Sequence, residues 1–138
     1  MRVLYFIIIT ILITTISCKE NRKGNNSEKQ AVESCDTTEY SMNPEYYDFG
    51  DINCGEVVGY TFTLKNTGNH PLVIKDVKSG CACTTVEVEK ESINPNETCK
   101  IDIEFNSAGR NGFQMKEISI FANVKKGVIK LPFTCNVK

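Results

Sequence analysis

Seven cysteines stand in a chain of 138 residues. Two of them, Cys81 and Cys83 in "SGCACTT" (79–85), are one residue apart. Such a pair could be a thiol redox centre, half of a metal site, or the ends of two separate structural disulfides. In an extended strand, residues i and i+2 share a face with Cα atoms about 6.6 Å apart. A disulfide needs its Cβ atoms roughly 3.5–4.5 Å apart, so a direct Cys81–Cys83 bond requires the chain to turn there. Gly80 just before the pair permits that irregularity. As a metal site the pair would suit Cu(I) or Zn(II), which favour thiolates, but further ligands would be needed. The only histidine, His70, precedes the strand that the cysteines follow. A strand of that length spans about 20 Å, so His70 and Cys81 belong at opposite ends of the domain.

Three other cysteines are candidates for structural disulfides: Cys54, Cys99 and Cys135. Cys99 shares the parity of Ile101, Ile103 and Phe105, and Cys135 that of Leu131, Phe133 and Val137, so both should point into a core. There each is a small buried hydrophobe or half of a bridge. Cys54 follows the first expected strand, and a first strand lying beside the last would make Cys54–Cys135 one possible pair. Cys35 lies in a polar stretch where a thiol could meet another molecule. Six cysteines besides Cys18 allow 15 pairings, and spacing alone does not choose among them.

No other constellation carries chemistry. The chain has no Gly-rich phosphate loop, no HExxH and no GxSxG. Glu87 and Glu89 alternate with Val86 and Val88, the pattern of a solvated strand face. The expectation is a protein that is not an enzyme and holds no cofactor. Net charge is −1 without a basic block, which argues against nucleic acid as partner.

The elements that must position these residues come in three segments. Residues 1–17 read as a signal peptide: Arg2, then an apolar run from Val3 to Ile16, too short for a comfortable membrane span. It ends in Thr15-Ile16-Ser17-Cys18, which resembles a lipobox with Thr15 where leucine is usual. Cleavage there makes Cys18 the lipid-bearing N-terminus. Each buried methylene contributes about 0.8 kcal/mol, so several acyl chains hold a small domain firmly to a membrane. The expected location is therefore the bacterial cell envelope, on the periplasmic or the outer face, and Lys19-Glu20 resembles a surface-export signal of Bacteroidetes-like bacteria. Residues 18–42 read as a flexible tether. Within them Asp36-Thr37-Thr38 resembles a short O-glycosylation signal, whereas the acceptor patterns at Asn25 and Asn96 are read as accidental.

From residue 43 to 138 the period becomes two. Tyr60, Phe62 and Leu64 alternate with polar neighbours, as do Ile101, Ile103 and Phe105, then Ile118, Ile120 and Ala122, then Ile129, Leu131 and Phe133. "NTGNHP", "NPNE", "AGRNG" and "KKG" supply turns. The pattern predicts an all-β, Ig-like antiparallel β-sandwich of about seven strands, near 45–50, 57–65, 71–77, 83–89, 98–105, 115–122 and 128–137. Pro132, outward in the last strand, suits an edge or a bulge.

The segment "YYDFGDINCGEVVGYTFTLKNTGNHPLVIKDVKSGCACT", with the later "FNSAGRNG", resembles the bacterial domain-of-unknown-function 1573 family over about residues 43 to 138. The resemblance implies an Ig-like domain, related in architecture to pilus-chaperone and major-sperm-protein sandwiches, in lipoproteins or secreted proteins of Bacteroidetes-like bacteria. The family more often has Gly between the two cysteines, where this chain has Ala82. Two functional expectations follow. The first is a non-catalytic envelope lipoprotein that binds an unknown protein or glycan, with Val73 and Phe121 as apolar contacts on otherwise polar faces. The alternative is a thiol-redox or metal (copper or zinc) carrier using Cys81 and Cys83.

Overall fold

The computed structural model describes residues 37–138. Cys18, Cys35, the signal peptide and most of the tether lie outside the described residues. Every regular element described is a strand: β1 (Tyr40–Asn43), β2 (Tyr47–Ile52), β3 (Val57–Asn66), β4 (Leu72–Ser79), β5 (Thr84–Val88), β6 (Ser92–Ile93), β7 (Thr98–Asn106), β8 (Gly112–Ala122) and β9 (Val128–Val137). They form a four-stranded sheet in the order β1-β3-β7-β5 and a five-stranded sheet in the order β2-β9-β8-β4-β6.

The alternation that marks these strands also builds the core. On β7 burial alternates at every position, with Cys99, Ile101, Ile103 and Phe105 inward. Opposite them in the other sheet, Ile118 and Ile120 of β8 and Ile129, Leu131 and Phe133 of β9 are buried. Side chains on alternate positions of two facing sheets must interdigitate, and removing that apolar area from water is the main force holding the layers together. Aromatic rings continue the contact: Tyr47 stacks on Tyr60 at 3.6 Å between centroids, and Phe133 meets both Phe49 and Phe105 edge-on at 5.7 Å.

The β-sandwich matches the expectation, with four differences. The sandwich has nine described strands rather than seven, because β1 and the two-residue β6 have too few apolar residues to show a period. Residues 40–42, expected in the tether, belong to the four-stranded sheet: β1 pairs with β3 from Tyr40↔Asn66 to Asn43↔Thr63 and buries Met42. The sheets are not wholly antiparallel either, since β2 runs parallel to β9. That pairing does place the segment before Cys54 beside the last strand. Pro132 is not on an edge strand, because β9 lies between β2 and β8. It is tolerated because β2 starts only opposite Phe133, so the β2 side of β9 has no strand neighbour at position 132.

The "NTG" turn after β3 ties β1 to the rest. Asn66 is fully buried. Its Nδ2 donates to the carbonyls of His70 and Ile93, each at 2.8 Å, while its Oδ1 accepts from Thr38 Oγ1 at 2.9 Å and from Gly68 N at 3.0 Å. Gly68 has to be glycine. A Cβ there would lie 2.1 Å from Thr38 Oγ1 and 2.6 Å from the Glu39 nitrogen.

Candidate functional site

β4 pairs with β8 only as far as Ser79, opposite Ile118. At Gly80 the chain leaves the five-stranded sheet, and at Thr84 it enters the four-stranded one as β5. The crossing is the turn Cys81-Ala82-Cys83. Thr84 N donates to the Cys81 carbonyl at 3.2 Å, Ser79 Oγ donates to the same oxygen at 3.1 Å, and Asn106 N donates to the Cys83 carbonyl at 2.9 Å. The turn brings the two Cα atoms to 5.1 Å, shorter than a strand allows, and the sulfurs are bonded to each other.

A bridge across two positions of sequence restrains the unfolded chain very little. The chain-entropy relation gives about 1.5 kcal/mol for so short a loop, against more than about 4 kcal/mol for a bridge closing most of the domain. The double substitution Cys81→Ser with Cys83→Ser should therefore cost about 1–2 kcal/mol in a urea titration. A loss above about 4 kcal/mol would make the bridge a main staple of the fold.

The sulfur of Cys81 has two donors. Arg110 Nη2 lies 3.0 Å from it and the Cys83 backbone N–H 3.1 Å. Arg110 arrives from the β7–β8 turn, where its own N donates to Ser107 O and its Nη1 to Ala108 O, both at 3.1 Å. Gly109 and Gly112 in that turn have φ near +70°, a conformation that glycine adopts without a Cβ penalty. The two cysteines differ in surroundings. Cys81 lines a cleft of about 540 Å³ together with Lys78, Ser79, Gly80, Met115 and Lys116. Cys83 packs against the hydrophobic core.

The far wall of the cleft is β8. Because β4 stops at Ser79, residues 112–117 of β8 have β9 on one side and, among the described residues, no strand on the other. Their outward side chains include Phe113, 70% exposed, and Met115, 66% exposed. Of the two residues expected to be surface apolar contacts, Val73 is exposed, but Phe121 is covered by Lys78, whose Nζ sits 5.2 Å above the ring. Neither Arg110 nor the Phe113–Met115 pair emerged from the sequence. Arg110 is 29 residues from Cys81, and Phe113 precedes the segment whose alternation marked the strand.

Cys54, Cys99 and Cys135 are unbridged, which corrects the expectation of a structural disulfide among them. Cys54 sits where its N–H donates to Lys138 O, three positions past Cys135, so the two are about 10 Å apart, beyond the reach of a disulfide. Cys99 lies at the opposite end from both: Ser107, 4.0 Å from the Cys54 sulfur through its carbonyl oxygen, is eight positions or about 26 Å further along the chain. The inward parity of Cys99 and Cys135 is as read, and both are buried hydrophobes. Burial pushes both thiols above the usual cysteine range, and the Cys99 thiol donates to the Lys90 carbonyl. Both therefore stay protonated and unreactive at neutral pH. Among these three, a thiol reagent added to native protein should modify Cys54 alone, with Cys99 and Cys135 reacting only after denaturation. Peptide mapping checks this, and fast labelling of Cys135 would contradict the packing.

Among the described residues no group of three or more His, Cys, Asp or Glu is placed to hold a metal ion. His70 lies before Leu72, so the length of β4 separates it from Cys81.

Comparison with known proteins agrees with the architecture. No curated protein matches the chain. Among solved structures, a protein of unknown function from Porphyromonas gingivalis W83 superposes with a TM-score of 0.66 at 19% identity, covering 77% of this chain and 50% of that one. The chain thus spans half the length of that relative. The ASH/PapD-like domain 7 of human CEP192 follows at 0.56 and 12% identity, covering 74% and 87%. The VesB protease of Vibrio cholerae gives 0.55 and 14%, over 76% of this chain and 32% of that one. At these identities the likeness is one of fold. The sequence profile of one family matches residues 40–137, and the chain belongs to it: Protein of unknown function (DUF1573).

Proposed function

We propose that this protein is an interaction module of the bacterial cell envelope, lipid-anchored through Cys18, that takes an extended segment of a partner protein along the open half of β8. The observation that carries this reading is the edge itself. Residues Gly112 to Glu117 of β8 have no strand on that side among the described residues, and Met115, Lys116 and Glu117 border the cleft. Such an edge presents main-chain donors and acceptors that an incoming strand can pair, and flanking apolar side chains set specificity. Phe113 and Met115 are two large apolar residues exposed there. A protein segment fits such an edge better than a glycan does, because only a polypeptide continues the ladder.

A photo-crosslinking residue placed at Met115 in cells should capture a discrete envelope protein, and one at Thr63 on the other sheet should not. Adding Phe113→Pro, which removes a main-chain N–H on the open side of β8, should cut the yield about tenfold. Equal background at both positions would sink the reading. Mass spectrometry of the membrane-extracted chain should find Cys18 as its acylated first residue; an unmodified N-terminus elsewhere would remove the anchor.

The bridge between Cys81 and Cys83 favours a second reading, the thiol-redox one, over a metal carrier. Sulfurs bonded to each other offer no thiolate to Cu(I) or Zn(II), so metal binding would first need reduction.

A further inference from the structure

We infer that the Cys81–Cys83 bridge is a thiol–disulfide exchange centre for a cysteine carried by the extended segment on β8, with Cys81 the sulfur that joins the partner. This rests on the reading of β8 as a docking edge and adds the partner's chemistry to it. Three observations converge. The bridge spans too little chain to be needed as a staple. It sits in the wall of the same cleft that the open edge of β8 borders, so a strand added to Met115 and Lys116 runs past Cys81. The two sulfurs also occupy unlike surroundings: Cys81 faces the cleft with Arg110 on its sulfur, and Cys83 packs on the core.

These surroundings assign the order of steps. A thiolate of the partner, in a cleft whose charged lining is Lys78, Lys116 and Glu117, attacks Cys81 Sγ. The Cys81–Cys83 bond breaks, its electron pair goes to Cys83, and Cys83 takes up a proton. The product is a mixed disulfide between Cys81 and the partner. If the partner has one cysteine, Cys83 returns to Cys81 and expels it, so capture is reversible. If it has two, the second thiolate attacks the partner's own sulfur and Cys81 leaves as a thiolate. Arg110 Nη2 and the Cys83 N–H already donate to that sulfur, and a cation with an N–H donor favours the charge it acquires. The balance is one partner dithiol oxidised to a disulfide and one Cys81–Cys83 bridge reduced to two thiols.

The test uses the purified full chain with three probes: a synthetic peptide Thr-Val-Cys-Val-Thr-Gly-Asn-Gly-Cys, whose first five residues can extend along β8 while the flexible tail folds the second cysteine back onto the first, the same peptide with both cysteines replaced by serine, and reduced glutathione. The cysteine peptide should be oxidised to one equivalent per chain, with Cys81 and Cys83 appearing as new alkylatable thiols, about 10-fold faster than glutathione at equal thiol concentration. With oxidised glutathione, the reduced Cys83→Ala chain should form its adduct at Cys81 about 10-fold faster than the reduced Cys81→Ala chain forms one at Cys83. Arg110→Gln should slow peptide oxidation about fivefold and Arg110→Lys should restore most of it, with thermal unfolding showing each variant folded. Exchange no faster with peptide than with glutathione, or preferred attachment at Cys83, overturns the proposal. Hydrogen exchange of the β8 amides with the serine peptide separates the two readings. Protection without thiol exchange overturns the exchange centre and leaves the docking edge; exchange at the glutathione rate without protection overturns both.

Discussion

The Asn66→Asp chain should unfold at a urea concentration about 2–3 M below the native chain, a loss of about 4 kcal/mol. The change is nearly isosteric, so the effect is chemical. Asn66 is a donor on one side and an acceptor on the other, and all four contacts lie under β1 and the turn before β4. A carboxylate keeps the two accepted bonds, from Thr38 Oγ1 and Gly68 N. It loses both donated ones, and sets a negative oxygen against the carbonyls of His70 and Ile93. Each buried acceptor left without a donor costs about 1–3 kcal/mol, and an unpaired buried charge costs more. The introduced carboxyl can recover one donor by holding a proton, so its folded-state pKa must rise. A group whose folded pKa is raised is least damaging below its unfolded value, near pH 4, and its cost grows as pH rises through the folded value. The native chain should show no such trend at this site. Asn106→Asp is the control: Asn106 is exposed and its Oδ1 accepts from Ala108 N at 2.9 Å, a bond a carboxylate keeps. That variant should differ from native by less than about 0.5 kcal/mol. Equal losses at both sites would mean that the Asn66 network does not hold the fold.

Phe133→Ala should lower stability by about 4 kcal/mol and the midpoint of thermal unfolding by about 20 °C. Phe133 is fully buried on β9, which lies inside its sheet between β2 and β8. Its ring reaches Phe105 on β7 of the opposite sheet and Phe49 on β2 of its own, both edge-on. Truncation removes the transfer energy of the ring and leaves a cavity that two strands on one side and a facing sheet on the other cannot close. Phe133→Leu keeps most of the volume and should cost about 1.5 kcal/mol. Calorimetry checks both, and a loss below about 1 kcal/mol for the alanine variant would mean that the sheets collapse onto the gap.

Seven of the nine strands were legible: the stretches read near 45–50, 57–65, 71–77, 83–89, 98–105, 115–122 and 128–137 are β2, β3, β4, β5, β7, β8 and β9. In β3, β5, β7, β8 and β9 the signal was apolar residues at every second position, the mark of a strand half in water. The same parity turned Cys99 and Cys135 inward. β1 and β6 left no such trace: one buried residue each, Met42 and Ile93, sets no period. Their places depend on partners elsewhere, β3 and the Asn66 network for β1, and β4 for β6.

The site divides in the same way. Residue type alone singled out Cys81 and Cys83, and geometry alone required a turn for them to meet. That they do meet was decided by the crossing from one sheet to the other, which bends the chain between β4 and β5. The separation of Cys54, Cys99 and Cys135 followed from where strand ends fall in three dimensions, which no spacing encodes. Arg110 on the Cys81 sulfur and the open half of β8 are likewise tertiary. The first joins two turns from different parts of the chain, and the second exists because β4 is shorter than the strand it pairs with. Local periodicity is a property of one segment against water, so the sequence by itself determined the β-sandwich class and the inward faces. The neighbours that complete a site come from distant segments, and only the packing of the two sheets decided which of them meet.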